Sequence, residues 1–449
     1  MSDIAGKTIL ATFFHAPDRH AVEVLEETVI AIAADGQIEA VIRPGAVGYD
    51  TAHESADLTL PDGCYVLPGF VDCHVHAPQY PQLGQALDVP LEVWLQQYTF
   101  PLEARYADLD FARRSYSTLV EDLLASGTTT ALYFATIHQE ATRLLADICL
   151  EKGQRALVGK VVMDNAESCP PYYRDTSAEA AIANTRAFID YVRAHPGNAA
   201  ARVLPVVTPR FIPSCTDEAL AGLGQLVAEC GCHVQTHCSE SDWAHGYVLD
   251  RHGVTDAESL DRFGLLTRRS VLAHSNFLSD ADMDRVVARG AGVAHCALSN
   301  AYFANSVFPL RAALERGMHV GLGTDISGGP SGSLFEAARM TIAASRMLES
   351  GVDPALPAAS RGRPDSRIDF ATAFHLATAG GGVLLDLPIG QFAPGFRFDA
   401  MVIDTCPRDG GIRLLAQSSQ EDILQKIVHT ANRANITRVW VDGRSVSSR

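Results

Sequence analysis

A chain of 449 residues exceeds one ordinary domain but suits a barrel of about 250–400 residues with an accessory layer. At 47% hydrophobic and 20% charged residues, it can bury a large core without staples. A net charge of −17 argues against nucleic acid or an anionic membrane as a partner, because both repel an acidic surface.

Residues 1 to about 65 read as short strands, at 8–14, 27–33 and 37–42, broken by turn signals such as Asp35-Gly36. Stretches 398–404 and 437–442 look alike. The expectation is a small β-sandwich domain built from both termini, residues 1–66 with 381–449, around a middle of 67–380. In that middle, eight β-rich runs alternate with helical stretches: 66–75, 128–134, 156–163, 203–208, 233–237, 270–274, 292–295 and 319–325. Segments 111–125, 177–194 and 216–228 have helical periodicity and few breakers. This pattern predicts an α/β fold, a (β/α)8 TIM-type barrel, over an open doubly wound sheet. No GxGxxG follows the first run, which removes the main support for a dinucleotide fold. Residues 80–103 read as a loop and helix over the barrel mouth, and 361–364 as an exposed linker. No apolar run reaches the roughly 18 residues of a membrane span. The ten cysteines show no CxxC spacing, and Cys230-Gly-Cys232 reads as packing. With no charged-then-apolar leader, the expectation is a reduced, cytoplasmic protein.

The chemistry gathers at strand ends. Run 1 ends in His74-Val75-His76, whose alternate residues face one way. Run 5 ends in His237, run 6 in His274 and run 8 in Asp325. Each His taken singly reads as a hydrogen-bonded core residue. Together, imidazoles and a carboxylate at strand ends suit a borderline cation such as zinc, with a position open for water. Glu240, three residues after His237, falls in the next loop. There it can take a proton from an activated water, whereas alone it reads as a surface acid. Gln79 and Arg210 read equally as solvated or capping residues.

Further marks are Pro68-Gly69-Phe70-Val71-Asp72-Cys73-His74-Val75-His76-Ala77-Pro78-Gln79-Tyr80, Tyr98-Thr99-Phe100-Pro101, Thr208-Pro209-Arg210-Phe211, His237-Cys238-Ser239-Glu240 and Gly323-Thr324-Asp325. Over residues 68–404 the chain resembles the amidohydrolase superfamily, and within it the guanine deaminase family. The HxH and GTD pieces mark the superfamily; Gln79-Tyr80 and the two segments at 98–101 and 208–211 mark the narrower family. The resemblance implies one zinc per chain held by His74, His76, His237 and Asp325. It implies that Glu240 and Asp325 shuttle protons and that His274 contacts the water or the tetrahedral centre. It further implies that Gln79 and Arg210 hydrogen-bond a purine, that Phe211 packs on its face, and that the protein is a homodimer. The expected reaction is hydrolysis of guanine to xanthine and ammonia, with a pterin, 8-oxoguanine or an aminotriazine as alternative rings. The family usually reads His-Cys-Pro-x-Ser-Asn after strand 7, whereas here Ala297 replaces the proline, which is expected to free the loop over the ring. A binuclear cyclic-amide hydrolase resembles this barrel but needs a carboxylated lysine ending strand 4. Residues 203–210 contain none, and Lys160 lies in strand 3. A barrel that had lost catalysis would lack a ligand or Glu240, and all are present.

Overall fold

Runs of four to eight apolar residues joined through helices pair in parallel, because a crossover brings the next strand in the same direction. The structure, a computed structural model, describes residues 3–304, 306–415 and 418–448. Five strands come first: β1 (Thr8–His15), β2 (Glu23–Ile32), β3 (Ile38–Ile42), β4 (Leu58–Thr59) and β5 (Cys64–Pro68). Eight barrel strands follow: β6 (Phe70–His76), β7 (Thr128–Phe134), β8 (Arg155–Val162), β9 (Val203–Pro209), β10 (His233–Cys238), β11 (Ser270–His274), β12 (Gly292–His295) and β13 (His319–Leu322). The last three are β14 (Ala400–Asp404), β15 (Ile436–Val441) and β16 (Arg444–Ser448). Strands β6 to β13 lie side by side in chain order. The seam between β13 and β6 is closed by Asp325 N–H donating to His74 O and His76 N–H donating to Ile326 O, both at 2.9 Å.

Two strand expectations shift at that seam. Run 66–75 divides at Gly69: β5 joins the terminal sheet and β6 the barrel. Gly69 sits so tightly on Thr129 that a Cβ would lie 2.2 Å from its side chain, and its N–H donates to Asp399 O at 2.9 Å. Run 319–325 ends as a strand at Leu322, because Thr324 turns away to satisfy a buried acid. Its N–H and hydroxyl donate to Asp72 at 3.0 and 2.6 Å. Burial pushes the Asp72 carboxyl up to about 7 despite those bonds.

The terminal strands form one mixed sheet in the order β16-β15-β14-β5-β1-β2-β3, with β4 paired to β1. Its apolar face draws on both ends of the chain, including Phe13, Ile30, Phe398 and Trp440. Position 66/67 falls inside β5, and 380/381 inside helix Ala379–Leu384. Leu384, Leu385 and Ile389 pack beneath the barrel against Val71, Leu132, Leu157 and Val206. Helices begin where polar side chains satisfy their free N–H groups: Asp108 before Leu109–Ala125, Ser177 before Ala178–Ala194 and Thr216 before Asp217–Cys230. The stretch expected to be a linker is tied down instead. Helix Ala358–Arg361 leads into Arg363, whose N–H donates to Leu348 O at 2.8 Å. Among the described residues no helix is long and apolar enough to cross a membrane, and all ten cysteines are free thiols.

Candidate active site

His74, His76, His237, His274 and Asp325 converge, all buried, at the C-terminal ends of β6, β10, β11 and the turn after β13. A one-residue irregularity in the β6–β7 register falls between Asp72 and Val75; such bulges re-aim side chains. His76 Nε2 and His237 Nε2 lie 3.0 Å apart. Asp325 Oδ1 lies 3.1 Å from His74 Nε2 and 3.5 Å from His76 Nε2. Two overlapping triplets, His74–His237–His274 and His74–His76–Asp325, each keep their ligand atoms within 4.8 Å of one another.

The donor set fits a metal ion. His237 Nδ1 meets the backbone carbonyl of Arg210 at 2.6 Å. A carbonyl only accepts, so Nδ1 carries the proton and Nε2 turns a lone pair inward. The buried Nε2 of His274 has no hydrogen-bond partner among the described residues, a costly state without a ligand, and that of His74 meets only the Asp325 carboxylate. Burial pushes the imidazoles of His74, His76 and His237 below their ordinary value, the His74 imidazole adding to it at His76 and His237 while Asp325 opposes it at all three; the shift favours the neutral form that ligates. Burial alone would raise Asp325, but the imidazoles of His74, His274 and His76 outweigh it and hold the carboxyl below the usual range.

Glu240 Oε1 lies 3.6 Å from His274 Nε2, and Asp325 Oδ2 lies 3.8 Å from the same nitrogen. Burial raises the Glu240 carboxyl above its ordinary value, and Asp325 adds to that. A relay of amides fixes His274. Glu240 O can only accept, so Asn276 turns its NH2 toward it at 2.9 Å. The Asn276 oxygen then accepts from Asn300 Nδ2 at 2.8 Å, which leaves Asn300 Oδ1 facing His274 Nδ1 at 2.9 Å. His274 therefore carries a proton on Nδ1, and its Nε2 faces the two carboxylates.

Beside this cluster, Gln79, Arg210 and Phe211 line one cavity together with His76, His237, Glu240, Asp325, Trp94 and Phe303. Helix Leu91–Trp94, the wider turn Leu95–Thr99 and helix Phe100–Ala104 follow one another where the sequence places a loop and helix, and Leu91, Trp94 and Leu95 line the cavity. Residues after His295 do not form a free loop. Ala297 opens a helical turn running on through Asn300–Ala304, and Phe303 packs on Trp94 at 5.2 Å. Proline suits a first helical position because no intrahelical N–H bond is needed there, and alanine, a strong helix former, opens the turn as well.

The amidohydrolase family model matches residues 65–446, most of the chain. The chain belongs to the amidohydrolase family. Among members it resembles is a probable guanine deaminase of Schizosaccharomyces pombe, 37% identical over 388 residues, covering 85% of this chain and 71% of that protein. A guanine deaminase of Dictyostelium discoideum is 34% identical over 98% of both chains. A crystal structure of guanine deaminase from C. acetobutylicum, with bound guanine in the active site, superposes with a TM-score of 0.87. It is 28% identical and covers 98% of this chain and 99% of that one. Like those, this amidohydrolase is read as a hydrolase built on a barrel with a small sheet domain.

The sequence reading missed several residues of this site. Glu103 is fully buried and binds Arg210, Gln79 and Tyr173 at once. Its one signal is a charged residue inside the apolar stretch from Trp94 to Tyr106. Phe134, ending β7, packs within 5.0 Å of His74, His76 and His237; an aromatic closing a strand beside a ligand strand is its signal. Asn300 is the asparagine of the His-Cys-Pro-x-Ser-Asn pattern, which is its signal; Asn276 carries none, since its partners lie in other loops. Lys160 stands apart, buried in an ion pair with Asp175.

Proposed function

We propose that this protein hydrolyses guanine to xanthine and ammonia, with one zinc per chain held by His74, His76, His237 and Asp325. The supporting observation is the lining of one cavity, where a carboxylate with raised proton affinity and members of the His/Asp cluster stand together with an arginine, an amide and an aromatic ring. Zinc bound there supplies Lewis acidity and an acidified water at neutral pH. Glu240 takes a proton from the attacking water and delivers it toward the departing amine. The bond from C2 to water oxygen forms, the bond from C2 to the amine breaks, and ammonia leaves. Asp325 is the second proton carrier, and His274 Nε2 contacts the water or the tetrahedral centre. Arg210 and Gln79 donate to ring acceptors, and Phe211 packs on the ring face. We further propose a cytoplasmic homodimer that serves purine breakdown.

Ammonia release measured across guanine, 8-oxoguanine, adenine, cytosine, a pterin and an aminotriazine tests the reading. Guanine should give the highest kcat/KM; a higher value for another ring reassigns the substrate. Metal analysis should find about one zinc per chain, and two tightly held ions would favour a binuclear cyclic-amide hydrolase. Light scattering should give the mass of a dimer, and a monomer would remove that part.

A further inference from the structure

The cavity has one guanidinium, that of Arg210; no other Arg or Lys lines it among the described residues. That guanidinium is not free. Nη1 and Nη2 both donate to Glu103, at 2.6 Å to Oε2 and 3.2 Å to Oε1. Glu103 also accepts from Gln79 Nε2 at 2.8 Å and from the Tyr173 hydroxyl at 2.7 Å. Two oxygens thus accept four hydrogen bonds, the pattern of an ionised carboxylate that no solvent reaches. The Gln79 oxygen accepts from Ser327 N–H at 3.1 Å, so both ends of the amide are fixed. Phe100 closes the stack, its ring centre 5.0 Å from the Arg210 guanidinium carbon.

A buried cation left unpaired would draw an anion into the cavity, and in a low-dielectric pocket that pull is strong. Arg210 instead keeps its remaining N–H groups as donors while its charge is cancelled beside it. We propose that Glu103 is a positioning residue that selects the charge of the ring: by neutralising Arg210 it admits uncharged heterocycles and turns away monoanionic ones. The inference rests on the ring-deaminase reading and adds a rule to it. Donor pattern chooses the ring, and a carboxylate out of the ring's reach chooses its ionisation state.

The test compares inhibition by hypoxanthine, neutral at pH 7, with inhibition by urate, a monoanion there, in the zinc-loaded protein and its variants. In the unaltered protein hypoxanthine should inhibit at concentrations at least tenfold lower than urate. Equal inhibition, or tighter urate, overturns the proposal. Glu103→Gln keeps the shape and removes the charge, so the preference should move at least tenfold toward urate. If both rings weaken equally, Glu103 only holds the site together and the charge rule fails. Tyr173→Phe keeps the carboxylate and should raise KM for guanine without moving the preference toward urate; such a movement would also overturn the rule. Should Glu103→Gln not fold, the comparison in the unaltered protein still decides. If guanine is not turned over, calorimetric titration of the same two rings separates loss of the guanine reading from loss of this one.

Discussion

At the scale of single residues, the site depends on which lone pair faces inward. Glu240 is buried beside His274 and Asp325, and in the proposed reaction it moves a proton rather than holding metal. Glu240→Gln should leave the zinc content unchanged and cut kcat by about 10²–10⁴-fold; a variant of unaltered activity would remove Glu240 from the reaction. Asn300 acts one step back. Replaced by Leu, it no longer accepts from His274 Nδ1, and the imidazole is free to present either tautomer. Loss of such a partner costs roughly 10–100-fold, and the loss should appear in kcat with metal content intact. An Asn300→Leu enzyme that matches the parent would show that the amide relay is idle. Three residues here pay for their placement in backbone conformation. Ser239, His274 and Asp325 adopt φ of 44, 66 and 51°, a left-handed region costly for non-glycine residues.

At the scale of elements, strands position the reacting groups and the 91–104 helical segment encloses them. Trp94 is buried between the cavity and Phe303. Trp94→Ala opens that wall, and truncating a buried aromatic costs about 3–5 kcal/mol. In the proposed reading the wall touches the ring in ground and transition states alike, so KM should rise more than kcat falls. Steady-state kinetics showing an unchanged KM would place the ring elsewhere in the cavity. The eight barrel strands were readable because each is a short apolar run bounded by helical periodicity. Their ends at the seam were not, since the β5–β6 break and the early end of β13 are set by Thr129, Asp399 and Asp72 across the fold.

At the scale of the whole molecule, the terminal sheet is fastened to the barrel by charge. Asp442, just after β15, meets Arg155 of β8 at 2.6 Å, Arg202 at 3.0 Å and Arg397 at 2.6 Å. Asp399 adds a second carboxylate on Arg155 at 2.9 Å. Burial would raise the Asp442 carboxyl, but Arg155 and Arg397 outweigh it and hold it at about 2. Its folded value lies below the ordinary one of about 3.9, so its contribution is complete above about pH 4. As pH falls through about 4 to about 2, roughly 2–3 kcal/mol of stability should be lost. Asp442→Asn leaves three arginines short of a partner and should cost about 3–5 kcal/mol at pH 7. Urea midpoints measured from pH 7 to pH 2 should converge for parent and variant at the acid end. Parallel curves would show that Asp442 is not the fastening.

The sequence alone determined the alternation of strand and helix, the terminal β-strands and the ligand-type side chains at four strand ends. Those signals are local: apolar period, capping residues, and imidazoles one residue apart. Only the tertiary structure decided that His274 turns its Nε2 to the carboxylates, that Arg210 spends its charge on Glu103, and that residues 297–304 fold as helix beside the cavity. Each of those depends on a partner far along the chain, Asn300, Tyr173 or Trp94 among them, and no spacing along a polymer records which remote groups will meet.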